Sequence, residues 1–194
     1  MFASAMTLPA QLLSDARTRS GKPDPMEEAR FEAFYRRTAG GLWSYLYRMT
    51  GDAAVADDLL QKSFFRFLRA NPAVASEEHM RRWIFRTATN LALDHFRETK
   101  RNRARAEEQH PRSEAGPATE AREVLRHDMM KTFSELKPRE RALLWLAHVE
   151  EADHEDIGDA LGLQTKSVKV LLFRARKRLG DLLTKKGLAP EVKR

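Results

Sequence analysis

The stretch Asp153-His154-Glu155-Asp156-Ile157-Gly158-Asp159-Ala160-Leu161-Gly162-Leu163-Gln164-Thr165-Lys166-Ser167-Val168-Lys169-Val170-Leu171-Leu172-Phe173-Arg174-Ala175-Arg176, continuing to Leu179, decides the fold of this chain. It reads as two short helices meeting at a tight corner. Asp153 stands where it can cap the first helix by accepting a backbone N–H, and Asp156 adds negative charge to the first turn, where the helix dipole favours it. Ile157 and Leu161 share one face. Gly162 follows them at a place where a left-handed residue ends a helix without a Cβ clash, and Gly158 lets a second helix come close.

The second helix is predicted to start near Thr165. Its apolar residues Val168, Leu172, Ala175, Leu179 and Leu182 recur at intervals of four and three, so one face is buried. The opposite face carries Lys166, Lys169, Arg174, Lys177 and Arg178, with Arg176 close by, and Asp181 is the one acid before residue 187. A basic helix held by another across a glycine corner is the physical description of a helix-turn-helix, whose second helix enters a major groove. An ordinary amphipathic helix with a solvated basic face is the competing reading. The corner glycines and matched apolar positions favour DNA.

The rest of the composition agrees. A net charge of +7 over 194 residues and a pI near 9.9 suit a polyanionic partner, nucleic acid first and an acidic membrane surface second. The absence of cysteine excludes disulfides, thiolate chemistry and cysteine-ligated zinc. No apolar run approaches the length of a bilayer span, so a cytoplasmic protein without membrane insertion is expected.

Upstream, residues 1–25 hold scattered apolar residues followed by Arg17, Arg19, Gly21, Pro23 and Pro25, the composition of a mobile extension. They do not read as a signal peptide, since no positive segment precedes the apolar part and Pro9 and Gln11 interrupt it. From Glu27 a helical period sets in. Phe31, Phe34, Tyr35, Leu42, Trp43, Leu46 and Tyr47 mark one helix, in which Gly40-Gly41 costs ~1 kcal/mol per glycine and is a place to bend. Gly51-Asp52 breaks it and caps the next, predicted over Ala53 to Arg69, with Val55, Leu59, Leu60, Phe64, Phe67 and Leu68 facing the core. After the Asn71-Pro72 turn, a third helix carries Met80, Trp83, Ile84, Thr87, Leu91 and His95 on its inner face.

That third helix is also rich in cations: Arg81, Arg82, Arg86, Arg97, Lys100, Arg101, Arg103 and Arg105, with Trp83, Phe85 and Phe96 among them. Interleaved rings and cations can bind single-stranded nucleic acid, because bases stack on the rings while arginines follow the phosphates. Trp83 also has core spacing, so a structural role for it stands equally open. Residues 104–119 lack apolar periodicity and contain Pro111, Gly116 and Pro117, which marks a flexible linker. A short helix then passes Phe133 and Leu136 to Lys137-Pro138, where proline suits the first turn of a helix running to about Val149 behind the glycine corner. The expected fold is all-α: two small helical domains, 26–103 and 120–186, joined by the linker, with a tail over 187–194.

Catalytic constellations are missing from the pattern. The 6 histidines are scattered without the one-turn spacing of a zinc site. Asp57-Asp58 point about 100° apart on a helix and lack further metal ligands. No glycine-rich phosphate loop occurs. A non-enzymatic protein with no metal and no cofactor is expected.

Three runs together carry a resemblance. Ala56-Asp57-Asp58-Leu59-Leu60-Gln61-Lys62-Ser63-Phe64, Arg82-Trp83-Ile84-Phe85-Arg86-Thr87-Ala88-Thr89-Asn90-Leu91-Ala92-Leu93-Asp94-His95-Phe96-Arg97, and the corner with Phe173-Arg174-Ala175-Arg176 resemble a bacterial sigma factor of the extracytoplasmic-function group of the sigma-70 family. The likeness spans residues 27 to 183 in the family's order. It implies a transcription initiation factor that binds core RNA polymerase, through the β′ coiled coil and the β subunit, and directs it to promoter DNA. Asp57, Asp58, Gln61 and Phe64 would bind polymerase. The loop from Ala70 to Glu78 and the helix with Arg82, Trp83, Arg86, Asn90, Arg97, Lys100 and Arg101 would capture and melt the −10 element. Lys166, Ser167, Lys169, Val170, Phe173, Arg174, Arg176 and Lys177 would bind the −35 element, and an anti-sigma factor is an expected partner.

The chain departs from the family at two places. Val170-Leu171 stands where serine then arginine is common: Leu171 reads as broadening the buried face, and Val170 as offering a methyl surface suited to a thymine methyl. Lys62 replaces the usual glutamate. A stand-alone, dimeric helix-turn-helix regulator that works without polymerase is the alternative function.

Overall fold

The computed structural model describes residues 25–70, 76–105 and 121–189. Among them it holds seven α-helices and no strand: α1 Pro25–Thr50, α2 Ala53–Ala70, α3 Glu77–Arg105, α4 Ala121–Ser134, α5 Pro138–His148, α6 His154–Leu161 and α7 Thr165–Lys185. The all-α expectation is borne out. Most of the expected extension over 1–25, most of the linker over 104–119 and residues 71–75 of the proposed −10 loop lie outside the described residues. The chain divides into two compact units, one of Met1–Tyr47 with Asp52–Leu91 and the other of Arg48–Gly51 with Ala92–Arg194. That division falls inside α1, after Tyr47, and inside α3, after Leu91.

In the first unit, α1 runs unbroken through Gly40-Gly41, and Leu42, Tyr45 and Leu46 beyond them are completely buried. Gly51, the last residue of the short segment assigned to the second unit, takes a positive φ of 75°, and the Asp52 carboxylate then accepts from the Ala54 and Val55 amides at 2.8 and 3.2 Å, capping α2. Ser76 begins α3 in the same way, its hydroxyl accepting from the His79 amide. The core is aromatic. Phe34, Tyr35, Phe64 and Phe67 are buried, with ring centroids 4.7–6.4 Å apart among neighbouring pairs, and Trp83 meets Phe67 edge-on at 5.6 Å. Burial pushes the Tyr35 phenol above its ordinary range. One buried polar pair crosses this core: the Tyr45 hydroxyl lies 2.8 Å from Thr89 Oγ1, which in turn donates to the Phe85 carbonyl at 2.7 Å.

In the second unit, Pro138 opens α5 as predicted, and the Lys137 amide donates to the Glu140 carboxylate at 2.9 Å. Leu136, Leu144 and Ala175 form a cluster joined by Phe133, Leu179 and Leu182, so α4, α5 and α7 share one core. Arg139 donates to the Leu161 carbonyl at 3.1 Å, supplying a partner to a group left over at the end of α6. Arg141 of α5 is buried, which its charge did not foretell. Its Nη1 donates to the Met49 carbonyl, and its guanidinium sits 5.0 Å over the Phe96 ring. No helix among the described residues is long and apolar enough to cross a membrane.

Candidate nucleic-acid and protein interfaces

The corner follows from its local chemistry. Asp153 Oδ1 accepts from the Asp156 amide at 2.8 Å, and Gly162 ends α6 with φ +61°. The Leu163 amide donates to the Gly158 carbonyl at 2.8 Å, which folds the chain back onto the helix it has just left. A Cβ on Gly158 would lie 2.9 Å from the Leu163 carbonyl oxygen, so only glycine fits that approach. α7 then seats Val168, Leu172 and Ala175 in the core, as the spacing predicted.

The outer side of α7 has a centre and two flanks. With 3.6 residues per turn, Lys166, Val170, Phe173, Arg174 and Lys177 fall within about 60° of one line, while Lys169 and Arg176 stand roughly 100–120° to one side. All seven are exposed, and at the centre Val170 and Phe173 leave 50% and 65% of their surface in solvent. Ser167 is half-buried. Arg176 is drawn towards α5, where its Nε–H donates to His148 Nε2 at 3.0 Å. Arg178, on the other flank, lies 3.5 Å from Glu140. An apolar strip bordered by cations can meet base methyls while its edges meet phosphates.

A second feature lies in the first unit. Arg66, Arg69 and Ala70 of α2 and Trp83, Thr87 and Asn90 of α3 line a cavity of about 360 Å³. Trp83, Thr87 and Asn90 are spaced four and three apart, so they stack along one face. The cavity offers a ring, an amide and two cations side by side, the chemistry of a site for an unstacked base and its phosphate. Trp83 and Asn90 are brought together here as the sequence suggested. Arg66, Arg69 and Thr87 also line the cavity, though the sequence pattern did not single them out as binding residues. Arg82 is exposed and paired with Glu78 at 2.6 Å, and Arg86 is exposed. Phe85, one of the rings read among the cations, is buried and serves the core. Arg97 pairs with Asp94 at 2.6 Å, and it belongs with the exposed Lys100 and Arg101 to the second unit.

On α2, Asp57, Asp58 and Gln61 are exposed. Phe64 is not: with 0% exposure it packs against Phe31, Phe34 and Tyr35. It is thus corrected from a polymerase contact to a core residue, because no partner can reach a side chain enclosed by aromatic rings. Asp57 Oδ1 accepts from the Trp43 indole N–H at 2.6 Å, and Asp58 pairs with Lys62 at 2.7 Å. Among the described residues no three acidic, histidine or cysteine side chains converge as metal ligands would.

The sequence matches the family model for sigma-70 region 2 over residues 34–102 and that for sigma-70 region 4 over residues 126–179. The chain belongs to the sigma-70 family. Curated relatives that it matches are named as extracytoplasmic-function (ECF) sigma factors. It is similar to the ECF RNA polymerase sigma factor SigG of Mycobacterium tuberculosis, at 28% identity over 80% of this chain and 50% of that protein. It is also similar to ECF sigma factor SigE of Mycolicibacterium smegmatis, at 30% identity over 80% of this chain and 62% of the relative. The chain thus spans about half of the length of the first and less than two thirds of the second. Its fold resembles that of the sigma factor RpoE from Bartonella quintana, crystallised with the anti-sigma factor NepR, with a TM-score of 0.68 at 19% identity over 85% of this chain and 99% of that one. In this sigma-70 family chain the cavity lies inside the region 2 match and the glycine corner inside the region 4 match.

Proposed function

We propose that this chain is a transcription initiation factor that binds core RNA polymerase and directs it to specific promoters. One observation carries the reading: a single chain holds both a region 2 match containing a ring-and-cation cavity and a region 4 match containing an exposed reading helix. A stand-alone dimeric regulator needs only the second. The domains read as 26–103 and 120–186 would each take one of the two promoter elements.

In this reading, Asp57, Asp58 and Gln61 meet the β′ coiled coil, where exposed carboxylates complement cations. The Trp83–Asn90 cavity receives a base unstacked from the −10 element, with Arg66 and Arg69 on its phosphates. Arg82, Arg86, Arg97, Lys100 and Arg101 add phosphate contacts. The centre of α7 reads the −35 element. A soluble, cytoplasmic location fits this role. An anti-sigma factor is the regulator proposed, on the precedent of the RpoE–NepR complex.

The test is transcription in vitro with purified core polymerase on a pool of promoters. Transcripts from a defined promoter subset that need both the protein and core support the proposal. Tight, polymerase-independent binding of a palindromic duplex by a dimer, without stimulated transcription, would replace it with the regulator.

A further inference from the structure

Asp57 and Asp58 are adjacent and both exposed, yet they are held differently. Asp58 pairs with Lys62 one turn away, with both side chains more than half exposed (55% and 57%), an arrangement that contributes little and exchanges readily with solvent. Asp57 is instead bonded across to another helix. The Trp43 indole N–H donates to its Oδ1 at 2.6 Å, and the Trp43 ring lies stacked on Tyr47 with centroids 5.2 Å apart and planes 8° from parallel.

Trp43 is anchored without being swallowed. Its neighbours Leu42 and Leu46 on α1 are completely buried, whereas Trp43 and Tyr47 are only half-buried, so the ring pair lies along the edge of the α1–α2 surface. An indole N–H has a single proton and no acceptor, so its direction is set by the ring, and the ring is set by Tyr47 and α1. The bond therefore fixes the rotamer of Asp57 while engaging only Oδ1. Oδ2 has no partner among the described residues and remains open to a cation.

We infer that Trp43 is a positioning residue for the polymerase-binding surface, holding Asp57 ready to receive a guanidinium or ammonium from a cationic polymerase helix; this rests on the proposed role of Asp57 in binding polymerase. A carboxylate already held in its bound rotamer loses less freedom on association than one that must be ordered by the partner. Arginine is the partner best matched to Oδ2, since a charge-assisted N–H···O⁻ bond is strong and directional. Asp58, free to leave Lys62, supplies charge but not direction.

The experiment measures the affinity of the full-length protein for core polymerase in four forms: parent, Trp43→Phe, Asp57→Ala and the double variant. Phenylalanine keeps a ring against Tyr47 and removes the donor. The expected result is a roughly two- to tenfold loss for Trp43→Phe, the range associated with ordering one side chain, and no further loss when it is added to Asp57→Ala. A general structural defect would not vanish on the Asp57→Ala background. An unchanged affinity for Trp43→Phe overturns the inference, and so does a loss that adds fully to that of Asp57→Ala. If Asp57→Ala itself binds core like the parent, the assignment of Asp57 falls and the inference with it. If the parent does not bind core at all, the proposed function is what has failed.

Discussion

Arg176, on the flank of α7, gives its Nε–H to Nε2 of His148 at the end of α5, 3.0 Å away. The bond draws the guanidinium towards α5, so that in the proposed reading its two terminal nitrogens are left to meet a phosphate. Arg176→Ala is expected to weaken binding by about the same factor on every promoter and to lower the salt slope by ~0.9, one phosphate contact. His148→Ala releases the same guanidinium and should cost roughly 0.5–1 kcal/mol of binding, again without changing sequence preference. Titrations of promoter fragments at several salt concentrations check both. A change in −35 preference for either variant would move Arg176 into the base-reading set.

The two corner glycines should fail differently. At Gly158 an added Cβ meets the Leu163 carbonyl at 2.9 Å, and backbone cannot yield as a side-chain tip can. Gly158→Ala is therefore expected to cost about 1–3 kcal/mol and to displace α7, lowering DNA affinity per folded molecule. Gly162 has open space but a φ of +61°. Gly162→Ala should cost about 1–2 kcal/mol in stability alone, with DNA affinity kept. Thermal unfolding beside promoter binding separates the two.

The cavity in the first unit predicts a defect in melting rather than in docking. Trp83→Ala should remove a stacking surface worth about 1–3 kcal/mol, measured as lost permanganate reactivity of −10 thymines in the polymerase complex. Recognition of the −35 element should be retained. Arg66→Gln with Arg69→Gln should flatten the salt dependence of the same step. Normal melting by all of these variants would leave the cavity without a role in DNA.

Val170→Ser tests the apolar centre of α7. Half of the Val170 surface is in solvent, so the change leaves the core intact while a hydroxyl replaces a methyl surface. It should shift preference at one base pair of the −35 element, with discrimination changed by about 1–3 kcal/mol, read out by selection from a promoter library. Retention of the parental preference would mean that Val170 does not read sequence.

Much of this molecule was legible because its local signals agree. Asp153, Gly158, Gly162 and the Val168-Leu172-Ala175 spacing each point to the same corner, and each does there what its chemistry suggests. Phe64 marks where that reading divides. Its helical period gives it to the core, while the polymerase resemblance gives it to the surface. It lies two turns from Asp57, almost on one line along α2, yet the rings of α1 enclose Phe64 while Asp57 stays exposed and is met there by the Trp43 indole. Arg66 and Arg69 were illegible for the complementary reason. On α2 alone they are ordinary surface cations, and they acquire a site only when Trp83, Thr87 and Asn90 arrive from another helix. Arg141 carries a charge into the interior, against the usual preference of its residue type, and nothing in its neighbours along the chain gives notice of the Met49 carbonyl.

The buried hydroxyls of Tyr45 and Thr89 have a direction. Thr89 has one proton and gives it to the Phe85 carbonyl, so the proton between the two hydroxyls must come from Tyr45. The two side chains are therefore not interchangeable members of a pair. Tyr45 is a giver at the head of a relay, and Thr89 is a link that receives before it passes on. Loss of the tyrosine hydroxyl leaves the threonine still delivering its proton, whereas loss of the threonine hydroxyl takes an acceptor from Tyr45 and a donor from Phe85. A polar contact in an otherwise aromatic interior thus carries a polarity of its own, running from α1 into the backbone of α3.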